Sequence, residues 1–224
     1  LRSIKKNING LNKISNERIF DELNKILKLK NLYSLFSNKF SKEIILNIFP
    51  QFKYYERIKN ISSLSEKIKN EYDVNLILCL LVVDQTKDYE YFCHKYKTSN
   101  ELIKRFKNVS ENFENLKNKK FFTKKNIKQM VYLLNKKNVK DLLLFSLCIN
   151  NKKNFSDIEN SLRYLDRCNV PKFPISGDYL KNLGYKTGPE IGEKLKLLEK
   201  QWIQNDFVIK KEVIKKSLGK INNN

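Results

Sequence analysis

The chain has 224 residues and sets 45 Lys and Arg against 24 Asp and Glu, a formal net charge of +21. With 41% hydrophobic and 12% aromatic residues it can bury a real core, which excludes a disordered tail. The charge favours a polyanionic partner (RNA, DNA or an acidic membrane surface), although lysine, asparagine and isoleucine rise together, so a compositional origin on solvated faces stays open.

Apolar residues recur at helical spacing almost throughout. In "ISNERIFDELNKILKL" the set Ile19, Phe20, Leu23, Ile26 and Leu27 lines one face. Ser15 stands as N-cap and Glu17 in the first turn, while Arg18 occupies the place where a capping box has Glu or Gln. A second helix is predicted from about Ser41 to Phe49, stopped by Pro50, and others near 52 to 69, 73 to 84 and 99 to 107. "VNLILCLLVV" has the β-branched content of a buried strand, but its helical neighbours favour a core helix. "ENFENLKNKKFFTKKNIKQ" reads as a charged loop and the best internal boundary, followed by helices from Thr123 to about Lys136, Val139 to Asn150 and Asp157 to Cys168. The expectation is an all-α array of about ten helices in three parts, residues 1–50, 51–118 and 119–224.

Cys79, Cys93, Cys148 and Cys168 form no CxxC pair, and the one histidine, His94, adjoins only Cys93, so no metal site is expected. Cys79 and Cys148 lie in apolar runs as small hydrophobes, which suits a reducing, cytoplasmic setting. The longest apolar stretch, 76–83, is too short for a bilayer, and no membrane partner is expected. A first residue of Leu1, with Met130 the one methionine, reads as a fragment, a processed product or an excised domain. Asp73, Asp84 and Asp88 are the most tempting carboxylates, but they read as helix ends and solvated surface. No catalytic residue is assigned.

The stretch 173–195, "FPISGDYLKNLGYKTGPEIGEKL", concentrates four glycines and two prolines. Ser176 caps a short helix from Gly177 to Leu183, Gly184 ends it, and Gly188-Pro189 restarts a helix with proline at its first position. That helix places Ile191, Leu195, Leu198 and Trp202 on one side. Gly192 suggests a close approach by another helix or by a ligand. The start of the second helix, with Lys181 and Lys186 nearby, offers an anion site, set against a tight helical corner that serves packing alone.

Ser176, Gly177, Asp178, Leu180, Gly184, Gly188, Pro189, Gly192, Leu195, Leu198, Glu199 and Trp202 resemble the C-terminal pattern of bacterial CCA-adding tRNA nucleotidyltransferases and the related poly(A) polymerases. Ile14, Ser15, Glu17, Arg18, Ile19, Glu22 and Leu23 resemble that family's neck motif. The resemblance implies the neck, body and tail of such an enzyme without its α/β catalytic head, with Ser15, Glu17 and Arg18 supporting the active site. The implied role is to hold tRNA while the missing head adds CCA, using Mg2+, CTP and ATP that this chain does not bind. A poly(A) polymerase of the same architecture and a stand-alone helical RNA- or DNA-binding module are the alternatives.

On physical grounds the phosphate-binding candidates are Lys117, Lys119, Lys120, Lys124 and Lys125, then Lys136, Lys137 and Lys140, with Lys181 and Lys186 near the Gly-Pro turn. Phe121 and Phe122 are read as core, with base stacking as the alternative.

Overall fold

A computed structural model describes residues 7–118, 120–149, 155–185, 188–209 and 212. The described residues hold thirteen α-helices, a short 3-10 turn at Ile8–Lys13 and no strand. Helix α1 (Asn16–Ile26) starts where Ser15 Oγ accepts the Arg18 N–H at 3.3 Å, as its sequence predicts. It buries Leu23 and Leu27 with Ile19 and Phe20 half-covered, whereas Ile26 turns outward at 39% exposure. Helices α2 (Tyr33–Ser37) and α3 (Lys39–Ile48) follow, and α3 is capped by Asn38, whose Oδ1 accepts the Ser41 N–H at 3.0 Å. It ends where Pro50 disfavours helical backbone at Phe49.

The segment expected as one helix over 52 to 69 is two short ones, α4 (Arg57–Ser62) and α5 (Glu66–Lys69). At the break, Ser62 and Ser63 donate their hydroxyls to the carbonyls of Lys59 (2.6 Å) and Asn60 (2.8 Å), offering the backbone an alternative to continuing. Helix α6 (Val74–Val82) is the apolar run, helical as predicted and capped by Asp73. Helix α7 (Tyr89–Lys95) leads to α8 (Asn100–Leu116), which runs nine residues past its predicted end at 107. Its second half looks polar, yet Val109, Phe113 and Leu116 are buried, and buried Asn108 and Ser110 donate to the carbonyls of Asn138 (3.3 Å) and Thr86 (2.8 Å). The charged loop is therefore shorter than expected, beginning at Lys117 and ending at Thr123.

Thr123 caps α9 (Lys124–Leu134), and a single residue, Asn135 at φ 73°, separates it from α10 (Lys136–Ile149). Helix α10 is the axis of the bundle: it packs on α4, α6, α8, α9 and α11 (Phe155–Arg167). At its centre Arg105 of α8, itself 4% exposed, donates Nε and Nη2 to Asp141 of α10 (2.7 and 2.8 Å) and Nη1 to Asp73 (2.6 Å). Burial pushes the Asp141 carboxyl up against the pull of Arg105. Burial also opposes ionisation of Asp73, but there the Arg105 bond and the Leu76 N–H prevail and hold the carboxyl down. Asp73 is thus a helix-end residue with an exposed carboxylate, as its sequence suggests, whose other oxygen meets the buried Arg105.

The buried apolar set is continuous from Leu23 to Leu165; a second, of Ile175, Leu180, Ile191 and Leu198, belongs to α12 (Gly177–Asn182) and α13 (Pro189–Gln204). Trp202 joins the two, edge-on to Tyr132 of α9 at 5.3 Å and to Phe207 at 4.8 Å, and tilted against Phe173 at 5.3 Å.

Candidate RNA-binding surface

The Gly-Pro corner has the geometry its residues demand. Ser176 Oγ accepts the Tyr179 N–H at 3.2 Å to start α12. At its end the Tyr185 N–H reaches the Leu180 carbonyl (3.2 Å) and the Gly184 N–H the Lys181 carbonyl (2.8 Å), with Gly184 at φ 93°. This is the Schellman closure, in which the left-handed residue is glycine because a Cβ would clash. Gly188, at φ 151° and ψ −169°, precedes Pro189 at the first position of α13. Gly177 packs under Ile191 with its Cβ position 3.8 Å from the Ile191 side chain.

Gly192 departs from expectation. A Cβ built there meets nothing within 4 Å, so no helix among the described residues approaches it and its cost in propensity has no packing return. Of the anion site expected at the corner, the described residues show one lysine. Lys181 is held by Asp178 at 2.9 Å, and Lys186 lies outside the described residues.

The remaining lysines divide by what already holds them. Lys117 pairs with Glu114 (2.8 Å), Lys140 with Glu71 (2.6 Å) and Lys137 with Glu101, while Lys136 donates to the Asp166 carbonyl (3.1 Å). The Lys117 pair is local to one helix end and the other contacts join separate elements; a phosphate would have to displace a carboxylate, or at Lys136 a backbone carbonyl. Lys120, Lys124 and Lys125 are exposed and make no ion pair among the described residues; Lys119 lies outside them. Lys124 sits 5.9 Å from the Tyr164 ring centroid, and the Lys120 backbone is fixed by Asn118 Oδ1 at 2.9 Å. The structure does not gather the two lysine clusters into one patch, because α9 separates them: at about 1.5 Å per residue its length is roughly 16 Å. Phe121 and Phe122 meet edge-to-face at 5.0 Å and pack half-buried on the bundle, so core is their main role.

At the N-terminal motif Glu17 pairs with Lys97, which lowers the carboxyl through that hydrogen bond, and Arg18 is exposed. Lys97 lies just past the end of α7 and 80 positions from Glu17, so the sequence had no way to announce this pair. Asp84 accepts from Tyr54 and Thr86, and Asp88 from Lys53 at 2.7 Å. Among the described residues no three His, Cys, Asp or Glu side chains gather as metal ligands, and no helix is long and apolar enough to cross a membrane.

The family model described as "tRNA nucleotidyltransferase domain 2 putative" matches residues 66–218, about two thirds of the chain. The chain belongs to this tRNA nucleotidyltransferase family. A second model, "Probable RNA and SrmB- binding site of polymerase A", matches residues 1–56, which contain the Ser15–Arg18 motif. The mitochondrial CCA tRNA nucleotidyltransferase 1 of Danio rerio is 36% identical over 55 residues, 25% of this chain and 13% of that protein. The structure of the Thermotoga maritima CCA-adding enzyme complexed with tRNA shares the fold at TM-score 0.56 and 20% identity, over 93% of this chain and 52% of that one. The all-α fold that the two motifs implied is therefore shared with that enzyme, and the chain spans about half its length.

Arg57 is the cation that sequence reading passed over. It follows two tyrosines in "YYER" with no motif spacing to mark it, and only the tertiary structure shows it set among aromatic rings.

Proposed function

We propose that this nucleotidyltransferase chain holds tRNA for CCA addition to its 3′ end, the chemistry belonging to a head domain outside the chain. The observation that carries the reading is the fold shared over nearly the whole chain with a CCA-adding enzyme described in complex with tRNA. The charge of +21 supports it, since A-form RNA is gripped by shape and phosphate rather than by sequence. Within it, Lys120, Lys124 and Lys125 are the foremost phosphate contacts, because no carboxylate among the described residues pairs with them. Ser15, Glu17 and Arg18 would brace the active site from the neck end.

Mg2+, CTP and ATP would bind the head; the described residues gather no carboxylate cluster to hold a metal, and no chemical step is assigned to them. The expected setting is cytoplasmic. A poly(A) product is the second reading, favoured by the polymerase A model at the N-terminus; a product assay on an enzyme carrying both head and this chain separates the two.

The test is affinity for a tRNA lacking its CCA, against a DNA duplex of equal charge, across a salt series. A preference for tRNA that survives higher salt supports the reading, and equal binding that collapses with salt removes it. The double substitution Lys124→Glu and Lys125→Glu should weaken tRNA binding about tenfold or more and flatten the salt slope by about two contacts. Unchanged affinity would clear α9's start of the role.

A further inference from the structure

Where α4 meets the C-terminal ends of α8 and α10, a cleft of about 640 Å3 is lined by Glu56, Arg57, Lys59, Asn60, Phe113 and Lys117, with Cys148 and Ile149 at its floor. The half-buried Arg57 guanidinium lies 3.9 Å from the Tyr54 ring centroid and just over 5 Å from those of Phe113 (5.4 Å) and Phe145 (5.3 Å). Its Nη1 donates to the carbonyls of Val83 (2.6 Å) and Leu80 (3.2 Å), closing the end of α6. Nε and Nη2 find no hydrogen-bond partner among the described residues, and no carboxylate there pairs with the guanidinium. A desolvated cation ordinarily has a counter-ion; Arg105, in the same bundle, has two. Burial lowers the Arg57 pKa to about 10, with Tyr54 and Asp84 opposing, so the group stays charged at neutral pH.

We infer that this cleft is a phosphoryl-anion site, with Arg57 as the stacked fork at its base and Lys59 and Lys117 as flexible charges at its rim. Arginine presents two parallel N–H groups to a phosphate, and the aromatic ring under its face fixes that plane. Asn60 has one of its two Nδ2 hydrogens committed to the Cys148 carbonyl at 2.7 Å, which fixes the side chain at the cleft wall. Two carboxylates set the threshold. Glu56 accepts the Tyr33 hydroxyl at 3.3 Å, and Glu114 holds Lys117 at 2.8 Å until an anion draws it away. The phosphoryl group is either a backbone phosphate of bound RNA, in which case the inference rests on the proposed function, or free pyrophosphate, in which case it does not.

The test is nitrogen-15 NMR of the arginine side chains in the full chain, titrated at constant ionic strength with pyrophosphate, with phosphate, and with tRNA. The expected result is a saturable shift of the Arg57 Nε–H resonance with pyrophosphate, or with tRNA if the source is RNA, while Arg105 stays still. The double variant Lys59→Gln and Lys117→Gln, which leaves Arg57 and its stack intact, should weaken that response about three- to tenfold. An Arg57 resonance unmoved by all three, or moved equally by chloride, overturns the site. A chain that fails to bind tRNA but still shifts with pyrophosphate loses the proposed function and keeps this one; a chain that binds tRNA with Arg57 unmoved by any of the three does the reverse.

Discussion

In the bundle a helix such as α10 is buried along nearly all its length, from Val139 to Cys148, whereas α13 gives the interior Ile191, Leu198 and Trp202 only. The bundle adds an ion triad on the buried Arg105; the C-terminal corner has a cluster of four buried apolar residues and relies on Gly184 and Gly188 to set its turns. Family resemblance is densest where burial is poorest. A large core accepts many apolar side chains of suitable volume, so it constrains residue identity weakly. A glycine at φ 93° or 151° has no substitute, so a turn constrains identity strongly.

Arg105→Leu should strike the bundle hardest. It strands Asp141 as an uncompensated buried carboxylate and should cost about 3–5 kcal/mol in denaturant unfolding. Pairing it with Asp141→Leu should recover much of that; failure to recover would mean that the triad specifies packing as well as charge.

Gly188→Val should cost less, about 1–3 kcal/mol, because a β-branched residue is strained at φ 151°. Hydrogen exchange should show the loss confined to α12 and α13, with the bundle's protection unchanged. Opening of α8 and α10 together with the corner would show instead that the two regions unfold as one.

Acid sharpens the comparison from the bundle's side. Asp73, Asp84, Glu17 and Glu101 all have depressed carboxyl pKa values; burial works against the first two and is outweighed by Arg105 at Asp73 and by Thr86 and Tyr54 at Asp84, while bonds from Lys97 and Lys137 lower the two glutamates. Their share of stability is complete above the unfolded carboxylate range near pH 4 and is lost as pH falls through the lower folded values. Asp141, raised by burial, opposes this slope. Melting temperature should therefore drop below pH about 4, and Asp73→Asn should flatten the drop.

The smallest effect should be a gain. Gly192→Ala places its methyl in open space on an exposed helix and should stabilise α13 by about 0.5–1 kcal/mol. If tRNA affinity falls while stability rises, the ligand approach inferred for Gly192 from its sequence is restored as its reason.

Local rules made the helix starts legible. Ser15 and Ser176 were identifiable as caps, and Thr123 as a helix start, because an N-cap needs only one side-chain oxygen and the backbone of the next turn. The Gly184 closure and Gly188-Pro189 restart were equally readable. The last turns of α8 were not, since Asn108 and Ser110 look like loop residues until their partners on other elements are known.

By itself the sequence determined an all-α chain, the positions of its caps and turns, and membership of a tRNA nucleotidyltransferase family, all properties of residues close together in the chain. Tertiary structure alone decided which lysines pair with Glu71 and Glu101, that Asp73 and Asp141 converge on Arg105, and that Arg57 lines a cleft with no ion-pair partner among the described residues. Charge pairing depends on distances between segments tens of residues apart, and a Coulomb interaction leaves no periodicity in the chain from which those distances can be read.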